Sequence, residues 1–289
     1  SREIPRQGTP PPRYQDQTPV EEELQHAAEI HQSARETLFG ILDDARLGRS
    51  LDVPRTRQVV SQMTESILRN PDAMVWLTHL KKKHEYTATH SLRVCVLALT
   101  LGRHLGYDRE RLNVLGIGAL LHDIGKLRIP IELLDKPESL TREEFEIMKA
   151  HVPHGLDILE SAQGIPAAAL EVVGRHHERY AGNGYLFGLS GDTIGEFGLI
   201  SAITDTYDAI TSDRAYHLSL SPAAALKIIY EGRQRAYHPW LAEQFIQCMG
   251  IFPIGSIVEM STGSVVVVLT ANRQRRLRPR VALGLAPEK

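Results

Sequence analysis

A histidine and an aspartate stand side by side at the end of an apolar helical segment, in the run LLHDIGKLRIP at residues 120–130. Ionised carboxylates are rarely buried without partners, because an isolated charge in a protein interior has a large free-energy cost. A buried cation gives His122 and Asp123 a physical reason to face inward. The pair therefore predicts a metal site enclosed by the fold.

Helical periodicity dominates residues 87–249. The first helix of this region places His90 on the same face as Val94 and Leu97, so His90 points toward the core. A glycine-rich loop interrupts the helices at 179–194. The pattern predicts a mainly α fold, a helical bundle. The predicted helices are 87–104, 109–123, 141–160, 166–178, 195–212, 221–236 and 239–249.

The two ends of the chain have a different character. Residues 1–19 combine Pro, Gln and Arg with almost no apolar content and predict a disordered linker. Residues 20–85 predict an N-terminal helical extension that is not a catalytic unit. Residues 251–289 predict a small C-terminal β appendage, a hairpin of Ser256–Met260 and Ser264–Thr270. The arginines after this hairpin could contact phosphate or a partner, but are more typical of a solvated sheet edge.

Composition argues against several classes of protein. The formal net charge of −2 gives no electrostatic reason to expect a nucleic-acid polymer or an anionic membrane as partner. The longest apolar run, Val265 to Leu269, is far shorter than the ~20 residues that span a bilayer. Cys95 and Cys248 are no disulfide framework and fit a reducing compartment. We expect a cytoplasmic protein without membrane insertion. Because it begins at Ser1 rather than Met, an upstream part is expected to be missing.

Seven side chains on successive helices are candidate metal ligands. Five imidazoles and two carboxylates suit first-row metals such as Fe, Mn, Ni or Zn. Each histidine alone is weak support, since a single inward histidine is more often a satisfied core or surface residue; order and spacing together carry the prediction. Asp123 could bridge two metals while His122 holds one, and the set is large enough for a two-metal site. The candidates are His90, His122, Asp123, His151, His176, His177 and Asp205.

The order of these motifs resembles the HD-GYP branch of the HD metal-dependent phosphohydrolases, which hydrolyses cyclic di-GMP in bacteria. The resemblance covers about residues 86–249 and implies an HD-type bundle, with 86–250 as the catalytic domain. Its motifs are His90-Ser91, His122-Asp123-Ile124-Gly125-Lys126, His151 to Gly155, His176-His177-Glu178, Gly182 with Gly184 and Tyr185, and Asp205 with Asp208, Ala209, Arg214 and Tyr216.

The resemblance also implies cofactors and roles. Two divalent transition-metal ions are expected, Fe or Mn before Ni or Zn, with Asp123 and Lys126 as catalytic residues. Lys126 would stabilise charge on the phosphate oxygens. Asp208, Asp213 and Glu178 are expected to support the ligands. The expected substrate contacts are Lys126, Tyr185, Arg214, Tyr216 and His217, the last where the family often has Lys or Arg.

Two departures from the family pattern limit what the resemblance implies. Gly184-Tyr185-Leu186 stands where the family has Gly-Tyr-Pro, which bears on partner recognition more than on catalysis. Some members carry a glutamate four residues before the first histidine, associated with a third metal. Tyr86 occupies that position here and Glu85 is out of helical register, so we expect two metals and not three.

Three functions follow from these motifs. The first is hydrolysis of cyclic di-GMP to pGpG, GMP or both. The second is a catalytically weak module that senses a cyclic dinucleotide or binds a protein, as the altered Gly-Tyr-Leu suggests. The third is an HD phosphohydrolase acting on another cyclic dinucleotide or a nucleotide. GGDEF signalling proteins and a second copy of the chain are possible partners.

Overall fold

A computed structural model describes residues 14–79, 86–212, 219–272, 275 and 277–283. The mainly α fold with a small C-terminal β element is confirmed. Two short 3-10 helices span Ile124–Arg128 and Gly191–Ile194. In the described residues the α-helices are α1 (Val20–Arg46), α2 (Val53–Arg69), α3 (Pro71–Thr78), α4 (Tyr86–His104), α5 (Arg109–Leu121), α6 (Ile131–Leu134), α7 (Arg142–Lys149), α8 (His151–Glu160), α9 (Ala167–Arg175), α10 (Glu196–Thr211), α11 (Pro222–Glu231) and α12 (Pro239–Met249). None of them combines the length and apolar character needed to cross a bilayer.

The helix predicted over 141–160 is two helices, α7 and α8. Thr141 begins α7 with a capping box, in which its hydroxyl accepts from the Glu144 amide and the Glu144 carboxylate accepts from the Thr141 amide. Helix α7 ends at Lys149, and α8 starts at His151 after the single residue Ala150. Hydrophobic periodicity continues across this break and conceals it, although Pro153 in the first turn of α8 is a sequence signal for a helix start.

The N-terminal helices share one hydrophobic core with the rest of the bundle. Glu23 of α1 is buried and accepts hydrogen bonds from Ser66 Oγ at 2.6 Å and from Arg69 Nε at 2.6 Å, both on α2. Buried carboxylates are tolerated when they are paired in this way. The helical extension predicted over 20–85 is therefore packed into the bundle over the residues described.

The predicted linker does not extend through residues 14–19. Tyr14 packs against the core, and its hydroxyl donates a hydrogen bond to the Tyr107 carbonyl at 2.9 Å. The Gln17 amide donates to the Arg69 carbonyl at 2.8 Å. Contacts of Tyr14, Asp16 and Gln17 therefore anchor this polar stretch to the bundle, whereas residues 1–13 lie outside the described part of the chain.

Helices α4, α5, α9 and α10 form the centre of the bundle, and the close packing of α5 and α9 matters most for the site. A Cβ added at Gly118 of α5 would lie 2.6 Å from the Ala169 carbonyl oxygen and 2.7 Å from the Val172 Cβ, both on α9. Glycine at this position lets the two helices approach. Their carboxyl ends, which carry His122 and His176, consequently meet.

The C-terminal residues form a three-stranded antiparallel sheet in the order β1 (Ile257–Glu259), β2 (Val265–Thr270) and β3 (Arg280–Leu283). Val258 pairs with Val266, and Val266 pairs with Leu283. The hairpin of β1 and β2 was predicted, but β3 was not, because its short apolar run follows an arginine-rich segment. The Ala271 amide donates to Asp72 Oδ2 at 3.0 Å and ties the sheet to α3.

Candidate metal centre

The seven predicted ligand residues lie together in one cluster, contributed by five helices and their ends. His90, His122 and Asp123 form one group of three donors, and His151, His176 and His177 form a second. Within each group the donor atoms all lie within 4.8 Å of one another. Asp205 of α10 contacts members of both groups. The structure therefore brings together side chains that are up to 115 positions apart in the sequence (90 to 205).

Asp123 faces both groups with different oxygens. Its Oδ2 lies 3.3 Å from His122 Nε2 and 3.6 Å from His90 Nε2. Its Oδ1 lies 3.6 Å from His151 Nε2 and 3.9 Å from His176 Nε2. A carboxylate placed in this way can share its two oxygens between two cations.

Asp205 lies on another side of the cluster. Its Oδ1 is 3.1 Å from His90 Nε2 and 4.0 Å from His122 Nε2. Its Oδ2 is 3.9 Å from His177 Nδ1. Both carboxylates thus span the same two histidine groups, and each group has access to negative charge.

Three histidines are oriented by the helix ends that carry them. His122, His151 and His176 each direct Nδ1 to a backbone carbonyl three residues earlier, at 2.8, 2.7 and 2.8 Å. A carbonyl oxygen can only accept, so Nδ1 carries the proton and Nε2 keeps its lone pair. Every one of these Nε2 atoms faces Asp123.

His90 is oriented by a pair of charged side chains instead. Its Nδ1 donates to Asp208 Oδ2 at 2.7 Å, and Arg93 Nε donates to Asp208 Oδ1 at 2.7 Å. Asp208 was predicted to support the ligands, but Arg93 was missed. It lies three residues after His90 on α4, a spacing that places both residues on one face and could have indicated it.

The protonation states of the cluster favour cation binding. Burial lowers the pKa of His151 and of His176, and lowers that of His177 to about 3, so all three imidazoles are neutral near pH 7. Burial also opposes protonation of His90, but its hydrogen bonds to Asp205 and Asp208 outweigh burial and raise its pKa to about 9. Cation binding would displace that proton from His90.

The two carboxylates stay ionised despite their surroundings. Burial would raise the pKa of Asp123, but the positive charge of Lys126 and the nearby His122 hold it well below its usual range. Burial is likewise outweighed at Asp205, where the hydrogen bond with His90 lowers the pKa. The cluster therefore keeps two negative charges among its imidazoles.

The donors fit a divalent cation. His122 Nε2 and Asp123 Oδ1 are buried and have no hydrogen-bond partner within the described part of the chain. Buried polar atoms without partners are rare and costly. A metal ion would satisfy both atoms, and imidazole together with carboxylate is a donor set that suits first-row transition metals.

Lys126 lies at the edge of this cluster, as predicted. The 3-10 helix that follows Asp123 turns the chain back, so that Lys126 Nζ donates to Asp123 Oδ2 at 2.6 Å. Its side chain is 24 % exposed, whereas that of Asp123 is 2 % exposed. An ammonium group has three donors, so Lys126 can bind an anion at the mouth of the site while it contacts Asp123.

The glycine-rich loop brings Tyr185 to the same site. The Tyr185 ring stacks on the His177 ring, with centroids 4.7 Å apart and planes at 29°. Glu178 is buried and accepts from the Phe187 amide at 2.6 Å and the Leu189 amide at 3.0 Å. Glu178 therefore fixes the loop that carries Tyr185, and contacts no ligand histidine through these bonds.

Several sequence predictions fall on residues that the structure does not describe. Arg214, Tyr216 and His217, predicted to contact substrate, lie outside the described residues, as does Asp213. Glu85 also lies outside them, and of Tyr86 only the backbone, at the start of α4, is described. The prediction of two metals and not three stays a prediction.

The HD domain family matches residues 73–241. The chain belongs to the HD domain family. This confirms the family inferred from the order of the motifs. HD domains imply divalent metal ions, and the histidine–aspartate cluster is compatible with them.

Curated relatives of this HD domain chain act on cyclic dinucleotides, according to their names. A cyclic di-GMP phosphodiesterase of Pseudomonas aeruginosa is 36 % identical over 262 residues, which cover 91 % of this chain and 63 % of the relative. A 3′3′-cGAMP-specific phosphodiesterase of Vibrio cholerae is 32 % identical over 162 residues. These cover 56 % of this chain and 31 % of that relative. The chain thus spans less than two thirds of the length of either relative.

A solved structure shows the same fold. The HDG"Y"P protein of Bdellovibrio bacteriovorus superposes with a TM-score of 0.66 at 18 % sequence identity. The match covers 80 % of this chain and 74 % of that protein. The helical arrangement is therefore shared, even though few residues are.

Replacing Asp208 with asparagine should weaken metal binding about 10–100-fold, the usual effect of losing a group that orients a ligating histidine. The asparagine side chain would be uncharged and would hold His90 and Arg93 less firmly. Metal titration against a competing chelator measures the change. The control is Asp157→Asn, an exposed carboxylate that pairs with Arg128. Equal affinities of the two variants would show that Asp208 does not orient a ligand.

Proposed function

We propose that this chain is a metal-dependent phosphodiesterase that hydrolyses cyclic di-GMP to pGpG, GMP or both. The main support for this proposal is the orientation of Asp123, whose two oxygens face two separate groups of histidines. The family and the name of the Pseudomonas aeruginosa relative support the substrate. The proposed ligands are His90, His122, Asp123, His151, His176, His177 and Asp205, holding two ions, Fe or Mn before Ni or Zn.

The cluster offers what phosphodiester hydrolysis requires. Bound divalent ions would supply Lewis acidity toward the phosphoryl oxygens. Asp123 would hold both ion positions at a fixed separation. Lys126 would donate its remaining N–H bonds to a non-bridging oxygen, where negative charge develops during the reaction. Tyr185, stacked on His177, would close one side of the site.

Turnover of cyclic di-GMP by the purified chain, reconstituted with Fe²⁺ or Mn²⁺, tests this proposal. We expect pGpG or GMP to be released by the wild-type chain, and His122→Ala to lose both metal and turnover. Products are separated by ion-exchange chromatography, with metal content measured in the same preparation. If the metal-loaded wild type binds cyclic di-GMP tightly but releases no product, the chain is a sensor of this nucleotide and not its hydrolase.

Hydrolysis of 3′3′-cyclic GMP-AMP is a second candidate function, favoured by the Vibrio cholerae relative. The two substrates differ only in one base, so the histidine–aspartate cluster, which would contact the phosphate, cannot distinguish them. Equal amounts of both in one reaction give the ratio of their kcat/KM values directly. Preferential consumption of the mixed dinucleotide would replace cyclic di-GMP in the proposal.

A further inference from the structure

Helix α7 places an aromatic and a cationic side chain beside the histidine–aspartate cluster. Phe145 of α7 meets Tyr185 edge-on, with ring centroids 6.0 Å apart and planes at 89°. Lys149, one helical turn after Phe145, places Nζ 5.6 Å from the Phe145 centroid and 5.7 Å from the Tyr185 centroid. We call Phe145, Lys149 and Tyr185 the α7 edge.

The α7 edge is continuous with the ligand histidines. Tyr185 stacks on His177 at 4.7 Å and lies 6.5 Å from the His151 ring. Lys149 is two residues before His151 and belongs to the preceding helix. A nucleotide whose phosphate lies at the cluster would extend its base over a surface of this kind, because a base and its phosphate are separated by one ribose.

Two side chains of the α7 edge, those of Phe145 and Lys149, are accessible to a ligand. Phe145 is 45 % exposed, although it is a large apolar residue. The Lys149 side chain is 26 % exposed, and its Nζ pairs with Glu146 at 2.7 Å. The Glu146 side chain is 61 % exposed, and a solvated ion pair of this kind contributes little to stability. Lys149 can therefore exchange part of that contact for a ligand at low cost.

We propose that the α7 edge binds one guanine base of the substrate, and that Lys149 selects guanine over adenine. The inference rests on the proposed function, since it assigns a specificity residue to the same site. Stacking on aromatic rings accepts any base, because every base has a π face. Lysine is selective, because guanine presents the O6 and N7 acceptors at one edge, where adenine replaces O6 with an amino donor.

Binding of bis-phosphorothioate analogues of cyclic di-GMP and cyclic di-AMP, which resist hydrolysis, tests this proposal on the metal-loaded chain. Lys149→Met should weaken binding of the guanine analogue about tenfold and that of the adenine analogue less than about twofold. Phe145→Ala should weaken both analogues alike. Isothermal titration calorimetry gives each Kd without relying on catalysis.

The matched control is Lys136→Met. Lys136 also pairs with a glutamate of α7, Glu144 at 2.6 Å, and its side chain is 23 % exposed, so the variant removes the same charge at similar exposure. Hydrolysis of bis(p-nitrophenyl) phosphate, a diester without a base, reports the metal chemistry separately. The control Lys136→Met should leave that hydrolysis unchanged, and thermal unfolding of each variant confirms the fold.

The outcomes separate this inference from the proposed function. If Lys149→Met selectively loses binding of the guanine analogue but the wild type does not turn over cyclic di-GMP, the guanine site is kept and the hydrolase is rejected. Turnover of cyclic di-GMP with unchanged selectivity in Lys149→Met rejects the guanine site and keeps the hydrolase. A wild-type chain that binds neither analogue, or a Lys136→Met variant that loses the same selectivity, also overturns the inference.

Discussion

Replacing Asp123 with asparagine is expected to remove metal from the chain and to lower the proposed cyclic di-GMP turnover by more than about 100-fold, beyond the upper range for residues that only orient a ligand. The physical reason is geometric. Asp123 directs one oxygen to His122 and His90 and the other to His151 and His176. Asparagine keeps one acceptor and turns an amino group toward the other histidines, so neither ion position keeps its shared charge.

The measurement is metal content per chain together with turnover in one preparation. Lys126→Met is the informative comparison, because Lys126 contacts Asp123 but is proposed to bind substrate oxygen and not metal. That variant should keep its metal and lose turnover. If Asp123→Asn retains two ions per chain, Asp123 does not bridge them, and the assignment of ligands to the two histidine groups is wrong.

The sequence predicted which side chains meet in this cluster because histidines and carboxylates at the ends of apolar helices leave a discrete trace. The paired His122-Asp123 and His176-His177 stand at the ends of apolar helices, where neither charge nor imidazole suits a core. Their order along the chain then identified the family. Side-chain identity, which the sequence gives directly, was sufficient for this step.

Other features depended on backbone geometry that periodicity does not encode. The break at Ala150 places His151 at the start of a helix, where its Nδ1 donates to the Met148 carbonyl of the preceding helix. Its orientation relative to Asp123 therefore does not follow from a helical face. Arg93 acts through Asp208, a partner 115 residues away, and its three-residue spacing from His90 places it near the cluster without revealing that partner. The third strand was missed because its partner in the sheet is needed to stabilise it.

Replacing Gly125 with alanine is expected to destabilise the chain by about 3 kcal/mol and to weaken metal binding at the same time. A Cβ at this position would overlap the His151 carbonyl oxygen and the Gly155 amide, and would lie 2.9 Å from the His151 carbonyl carbon. All three atoms belong to the backbone of α8, which cannot move aside as a flexible side chain can. The 3-10 helix that contains Gly125 (Ile124–Arg128) must therefore separate from α8, and His151 moves away from Asp123.

Thermal unfolding, measured with chelator and with metal, separates the two effects. In chelator the loss corresponds to a Tm lower by roughly 6–12 °C for a chain of this size, and added metal should raise the Tm less than it does in the wild type. Gly40→Ala is the matched control, since Gly40 is exposed within α1 and an added Cβ there meets nothing within 4 Å. That variant should gain about 0.5–1 kcal/mol from helix propensity. Gly125→Ala could instead have the same Tm as the control in chelator, with metal raising its Tm as much as in the wild type. In that case the contact between the Ile124–Arg128 3-10 helix and α8 does not position His151.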